Sequence, residues 1–347
     1  MRTAVALVLS IGLSTARPPA LRAETHRFVA KGSATAYSAA LEPALRLKSG
    51  DRVVTTTPNE AGRLIGPFVI DGAEAGDLLV VTLDALRPEG DVGYSTSTVV
   101  AGAIAPGGLT GRPDSKRFAW TIDAAARVVR FDLAAAFPRV DWKERFAPAS
   151  FEVPLRPALE AIGVASAGRD ESAAAASAQA GRFGGRMGAG ALGAGSRVML
   201  PVLQSGAWLY LGPGQVATGD GLVTGSGVQA PLSVEFSVEV VKKREWPHSS
   251  VVRPSTVVGE FEQGWPRVES AEALMTVGSG GSVSEALQRA TLELHHWLDD
   301  DFGLSEIAVS IVLGQAIEYE VASVEGSQST VVARIRKSVL PRPVAAP

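Results

Sequence analysis

The chain contains no cysteine, and this absence excludes disulfide bonds, thiolate nucleophiles and cysteine-ligated zinc or iron–sulfur sites. Only four histidines are present, at positions 26, 248, 295 and 296, so a histidine-rich metal site has few residues to draw on. Aromatic residues are also scarce, at 6% of the chain. Hydrophobic content of 46% still provides for a buried core, and 37 Gly and 21 Pro favour short strands and turns over long helices. A length of 347 residues predicts two domains or one large β-rich unit.

Long apolar runs are absent as well. Met1 and Arg2 precede a short apolar stretch from Ala4 to Leu13, and Ala-Leu-Arg-Ala at positions 20–23 has the form of a cleavage site. This pattern predicts a secretory signal peptide over residues 1–23. The stretch is shorter than the roughly 20 apolar residues that cross a bilayer. The alternatives are a buried strand and a short membrane anchor.

The charge of the chain is small and slightly acidic, at −3. Cleavage after Ala23 would remove three arginines and no acidic residue, which changes the net charge to −6. A weakly acidic protein is a poor partner for nucleic acid or for an anionic membrane surface, so we expect neither as a partner. Export without cysteine is compatible with a bacterial periplasm.

The remaining sequence predicts a β-rich α+β fold in two parts separated by one biased segment. Residues 24–164 show short alternating stretches and turns, which predict a β-sandwich-like domain with strands at 44–48, 52–57 and 78–84 and a hairpin over 120–133. Residues 165–181 are rich in Ala and have almost no large apolar side chain, so we expect an exposed, mobile loop. Residues 182–347 predict a second, barrel-like β-rich domain, with strands at 197–202, 207–211 and 232–241.

A helix pair and a hairpin are predicted at the carboxyl end. Ser282 and Glu285 have the spacing of a capping box, and Gly303 is a suitable stop. Ser305 would cap a second helix that runs to about residue 313. A hairpin follows over 317–324 and 330–339. The apolar stripe that identifies the first helix consists of Leu287, Ala290, Leu294, Trp297 and Leu298.

Motifs that carry chemistry are few. His295 and His296 are adjacent on the predicted helix and about 100° apart, so they are poorly placed to share a metal. The chain has no Gly-x-Ser-x-Gly nucleophile elbow. Residues 209–228 are the most informative region, because Asp220 lies between two glycines in a stretch that permits close backbone approach. An Asx turn would also explain Asp-Gly.

Several short segments, taken in order, resemble the acetamidase/formamidase family. Members carry Gly-Ser-x-x-x-x-Pro-Val, then Gly-Ala, then Gly-Asp-Gly-His-x-x-Gln-Gly-Asp-Gly-Glu. Other family segments are Gly-Pro-x-x-x-x-Gly-Ala-x-Pro-Gly-Asp, Gly-Gly-Asn-Met and a final Gly-Leu-Ser. The matching pieces span roughly residues 40–340 and are Gly66–Asp77, Leu155–Pro157, Ile162–Val164, Gly184–Met187, Gly195–Ser196, Pro201–Val202, Gly206–Ala207, Gly212–Leu222 and Gly303–Ser305.

The resemblance implies hydrolysis of a small linear amide to a carboxylate and ammonia, in a homo-oligomer. It also marks the chain as a divergent member. The family's Asn and Asp in Gly-Gly-Asn-Met-Asp fall on Arg186 and Gly188, and only Asp220 remains of the motif's acidic and histidine residues. The Asp, His, Gln and Glu of the glycine-rich motif fall on Pro213, Gln215, Thr218 and Leu222.

Two hypotheses follow for the site. In the first, an altered amidase uses Asp220 and Gln215 as catalytic residues. Glycine N–H groups could stabilise an oxyanion. The residues that would hold the substrate are Arg186, Thr218, Gly184, Gly185, Gly214 and Gly219. One positioned base raises the rate about 10²–10⁴-fold, which corresponds to ~3–5 kcal/mol. This is small beside the ~8–23 kcal/mol by which enzymes lower the barrier. The resemblance allows a divalent metal, but three ligands are not evident, so no cofactor is expected. In the second hypothesis, a catalytically inactive member binds a small molecule or a protein.

Overall fold

The computed structural model describes residues 23–109, 116–142, 144–166, 175–188, 190–243, 252–254 and 261–341. The predicted signal peptide, apart from its last residue, lies outside this part of the chain. Nine of the described strands form the largest sheet. In spatial order they are Thr25–Arg27, Arg52–Thr56, Leu232–Val241, Leu78–Pro88, Arg197–Pro201, Arg267–Glu269, Ala273–Gly280, Ser329–Arg336 and Glu318–Ser323.

Two further sheets pack with the largest one, and two short strand pairs complete the described β structure. The seven-stranded sheet runs Ser150–Pro154, Val128–Asp132, Arg117–Asp123, Val92–Thr96, Val228–Gln229, Gly214–Ala217 and Ala158–Leu159. The six-stranded sheet runs Ala180–Gly181, Gly184–Gly185, Ile162–Gly163, Leu209–Leu211, Ile65–Ile70 and Leu45–Leu47. The short pairs are Ala36–Tyr37 with Ala175–Ala176, and Val252–Pro254 with Phe261–Gln263.

The strand Leu78–Pro88 shows how the sheets and helices are layered. Its alternate residues Leu79 and Val81 belong to the main core, which the three sheets enclose. The residues between them, Leu78 and Val80, pack in a second cluster under the carboxyl-terminal helices. Because successive strand side chains point to opposite faces, an apolar run without alternation is required when both faces are buried.

The helix signals in the sequence are confirmed. The long helix Val283–Phe302 begins where the Ser282 hydroxyl accepts a hydrogen bond from Glu285 N at 3.2 Å. It ends at Gly303, whose φ of +62° is left-handed. Glu306–Ala316 forms the second helix, and a single turn, Leu133–Ala136, is the third α-helix of the described residues. Among the described residues, no helix is both long and apolar enough to span a membrane.

The β-rich class is confirmed, but the two predicted parts are interleaved. Each large sheet takes strands from both 24–164 and 182–347. In the nine-stranded sheet, Leu78–Pro88 lies between Leu232–Val241 and Arg197–Pro201. The boundary drawn from composition therefore does not separate the sheets. Pairings between residues more than a hundred positions apart hold the two parts together.

We expected the segment 165–181 to be an exposed loop, but both of its described ends are structured and partly buried. Ala165 is fully buried, and Ala175–Ala176 pairs with Ala36–Tyr37. Ala180 is 3% exposed, and its N–H donates to the Gln328 side chain at 3.0 Å. Alanine is small enough to let these short strands lie against the core. Residues 167–174 lie outside the described part of the chain, so the predicted mobility stays a prediction.

Candidate functional site: a buried ion pair beside an open cleft

Glu160 and Arg186 form a buried ion pair between the six- and seven-stranded sheets. They are 3% and 5% exposed. Arg186 follows the strand Gly184–Gly185, and its guanidinium donates to Glu160 Oε1, to Glu325 Oε2 and, at 3.3 Å, to the Gly225 carbonyl. One arginine thereby connects three segments that are far apart in the sequence.

Two glutamines complete the surroundings of Glu160. The side chains of Gln215 and Gln229 each donate from Nε2 to Glu160 Oε2, at 3.0 and 2.9 Å. Burial lowers the pKa of Arg186, but the charges and hydrogen bonds of Glu160 and Glu325 outweigh burial, so this pKa is raised. Arg186 therefore stays charged. Its charge and the amide of Gln215 are directed at protein groups.

Three of the glycines predicted to hold substrate lie in the core. Gly184 and Gly185 pair with Gly163 and Ile162 in the six-stranded sheet, and Gly214 lies in a fully buried strand. A Cβ on Gly184 would lie 2.4 Å from the Ile162 carbonyl oxygen, and a Cβ on Gly214 would lie 2.6 Å from a backbone oxygen. Close packing of strands explains these glycines.

We expect Gly184→Ala to lower the free energy of unfolding by at least about 2 kcal/mol, because the methyl group would overlap backbone atoms at a left-handed φ. This φ is +97°. Gly219→Ala is the matched control, since a Cβ there would meet no atom within 4 Å and φ is −100°. Urea denaturation of both variants tests the expectation. Equal stability of the two would contradict the packing explanation.

The other predicted residues lie at or beside an open cleft of about 560 Å³. Asp220, Thr218 and Gly219 are exposed on the loop that follows the strand Gly214–Ala217, and Asp220 and Thr218 line the cleft. Asp220 opens a single helical turn, Asp220–Leu222. Arg186 and Gln215 are not among the lining residues. The structure therefore divides the predicted site between a buried network and a cleft.

Glu320 is the residue of the cleft with the most strongly altered acidity. Burial raises its pKa, and the negative charge of Asp220 raises it further. Arg334, which donates to Glu320 Oε2 at 3.0 Å, and the Gly190 N–H counteract this only in part. A carboxyl group whose pKa is raised in this way can act as a general acid. Glu320 is therefore the candidate acid of the cleft.

The ligand types needed for a metal do not come together here. Within the described residues, no group of three or more His, Cys, Asp or Glu is arranged to hold a metal ion. His26 contacts Asp51 at 3.1 Å, and the rings of His295 and His296 are 6.4 Å apart on the long helix. His248 lies outside the described residues. A metal allowed by the family resemblance does not fit these residues.

Sequence reasoning missed four residues of this region, namely Glu160, Gln229, Glu320 and Glu325. Glu160 had a usable signal, because it is the one acidic residue in the apolar run Ala158-Leu-Glu-Ala-Ile162. An acidic residue in a buried strand region needs a partner. Glu320 and Glu325 looked like ordinary residues of a terminal hairpin, and nothing in their local sequence distinguishes them.

The fold was compared with known proteins. No protein-family model matches the chain, and no curated protein sequence matches it. The acetamidase from Yersinia enterocolitica superposes with a TM-score of 0.72 and 22% identity, covering 95% of this chain and 96% of that one. A predicted acetamidase/formamidase from Thermoanaerobacter tengcongensis gives 0.70 and 21%, with 92% and 97% covered.

A third structure, the acetamidase from Bacillus halodurans, has a TM-score of 0.68 and 21% identity, covering 90% of this chain and 97% of that one. All three cover nearly the whole of both chains, so the likeness extends over the complete architecture and not over one motif. The motif resemblance is therefore confirmed at the level of the fold: this chain has the acetamidase/formamidase fold.

Proposed function

We propose that the protein hydrolyses the C–N bond of a small linear amide in the cleft lined by Asp220 and Glu320. The observation that carries this proposal is that Asp220 and Glu320 line the same cleft, on segments joined by the hydrogen bond from Val324 N to the Gly221 carbonyl at 3.2 Å. Burial and the charge of Asp220 also raise the pKa of Glu320. The shared fold with amidase structures supports the same reaction class. The site differs from the family motif, since Gln215 and Arg186 are engaged with Glu160.

The proposed step uses Asp220 as general base and Glu320 as general acid. Asp220 takes a proton from water as the water oxygen bonds to the amide carbon. Glu320 gives its proton to the nitrogen as the C–N bond breaks, which releases ammonia and the carboxylic acid. Thr218 lines the same cleft, and its hydroxyl, which donates to the Gly219 carbonyl at 3.3 Å, would turn to donate to the amide carbonyl. Proton return from Asp220 to Glu320 through water completes the cycle.

Ammonia release from formamide, acetamide and propionamide tests the proposal. The protein without residues 1–23 would be incubated with each amide, and ammonia would be quantified over time against a heat-inactivated sample. We expect release in proportion to protein concentration with at least one amide. No release from any linear amide, by protein that unfolds cooperatively on heating, would overturn the proposal.

A second candidate function is binding without turnover. It is favoured by the state of Arg186 and Gln215, which occupy the positions of the motif's Asn and His and are bonded to Glu160. Nη1 and Nη2 of Arg186 and Nε2 of Gln215 thus bond to protein groups instead of to a substrate. In this case the protein would bind a small amide in the cleft, detectable by calorimetry, and release no ammonia.

Export and self-association are also part of the proposal. Export is supported by the sequence of residues 1–23. A homo-oligomer is supported by the helix Glu306–Ala316, on which Ile307 and Ile311, one turn apart, are 74% and 63% exposed. Apolar side chains so exposed are often covered by a partner surface.

A further inference from the structure

Three arginines line the cleft, and they differ in their partners. Arg334 is bonded to Glu320 at 3.0 Å, and Arg336 is bonded to Glu318 at 2.8 Å. Arg156 is exposed, and within the described residues its guanidinium has no hydrogen bond or ion pair. Among the described residues that line the cleft, Arg156 is therefore the unpaired cation.

The backbone around Arg156 is fixed although its side chain is exposed. Arg156 N donates to the Val216 carbonyl at 2.8 Å, and Pro157 restricts the chain directly after it. Val216 lies on the strand that leads into Thr218 and Asp220. Arg156 is thus held beside the start of the loop that carries the proposed base.

The size of the cleft also points beyond the smallest amides. At about 560 Å³, the cleft is in the range of sites that enclose ligands much larger than formamide or acetamide. A longer substrate would reach from the Asp220–Glu320 pair to a second contact. The unpaired guanidinium of Arg156 offers that contact.

We propose that the substrate is a small amide that carries a carboxylate, and that Arg156 binds this carboxylate. This inference rests on the proposed hydrolysis. A guanidinium presents two parallel N–H donors that match a carboxylate in a bidentate pair. Asp220 and Glu272 also line the cleft and repel any anion, and this repulsion grows with charge, so a singly charged carboxylate fits better than a phosphate monoester.

The test compares succinamate, an amide with a carboxylate, with succinamide, its uncharged isostere. We expect kcat/KM to be higher for succinamate, and Arg156→Gln to lower the ratio of the two values about tenfold to a hundredfold, mainly through KM. Arg46→Gln is the matched control, because Arg46 is an exposed arginine paired with Asp71 outside the cleft. The control should leave the ratio unchanged. A ratio in Arg156→Gln equal to that of the wild type would overturn the inference.

Calorimetric titration separates this inference from the proposed hydrolysis. If no amide is hydrolysed but succinamate binds the full wild-type chain about tenfold or more tightly than it binds Arg156→Gln, the hydrolysis proposal fails and the carboxylate site stands. If amides are hydrolysed with no preference for succinamate, the hydrolysis stands and the carboxylate site fails. Equal binding of succinamate by the wild type and Arg156→Gln overturns the carboxylate site in either case.

Discussion

Replacing Arg186 with methionine is expected to lower the free energy of unfolding by about 3–5 kcal/mol. The reason is that Glu160, 3% exposed, would lose the buried cation that compensates it in the core. The two glutamine amides that donate to Glu160 Oε2 would remain, but a neutral donor offsets less of the cost of burying a charge. Methionine keeps most of the volume, so a cavity contributes little.

Chemical denaturation of the wild type, Arg186→Met and Glu160→Gln/Arg186→Met measures this effect. The double variant should recover a large part of the loss, because it removes the buried charge together with its partner. Arg46→Met is the control for the substitution itself, since Arg46 and Asp71 form an exposed pair, which contributes at most about 1 kcal/mol. A loss below about 1 kcal/mol for Arg186→Met would refute a stabilising role of the ion pair.

The carboxyl-terminal helices and many of the longer strands were predicted from the sequence, because they depend on local patterns, but the fully buried strand Ala273–Gly280 was missed. The capping box at Ser282 and the apolar stripe after it fixed the long helix to within one residue of its observed start. Strand partners were not predictable. Leu78–Pro88 pairs with Leu232–Val241, about 150 residues later, and no local signal identifies such a partner.

The candidate site was predictable only in part, and for a similar reason. Asp220 stood out through its flanking glycines, and the structure places it in the cleft. Glu320 was missed because its altered acidity comes from burial and from Asp220, a hundred positions earlier in the chain. Arg186 was predicted to bind substrate and Gln215 to act in catalysis, but both side chains bond to Glu160 in a buried network. Their local sequence does not reveal this partner, because Glu160 lies 26 and 55 positions away in the chain.

Asp220→Asn is expected to reduce kcat for amide hydrolysis by about 10²–10⁴-fold, the contribution of one positioned general base. Asparagine has nearly the same shape and can occupy the same position at the cleft, but it cannot accept a proton from water. Asp220 is exposed, so folding should be unaffected. Steady-state ammonia release measures kcat and KM, and the thermal midpoint confirms folding. Asp71→Asn, an exposed acid outside the cleft, is the control.

Glu320→Gln tests whether Glu320 is the general acid, through its effect on the pH dependence of amide hydrolysis. In the proposed step Glu320 acts in its protonated form, so wild-type activity should fall as the pH rises through its pKa, which burial and Asp220 raise. In Glu320→Gln that fall should disappear and the overall rate should be lower. In Asp220→Asn the same fall should shift to lower pH, because the negative charge that raises the pKa of Glu320 is removed. An identical pH profile in the wild type and in Glu320→Gln would show that Glu320 does not supply the proton. The proposed division of roles between Asp220 as base and Glu320 as acid would then be wrong.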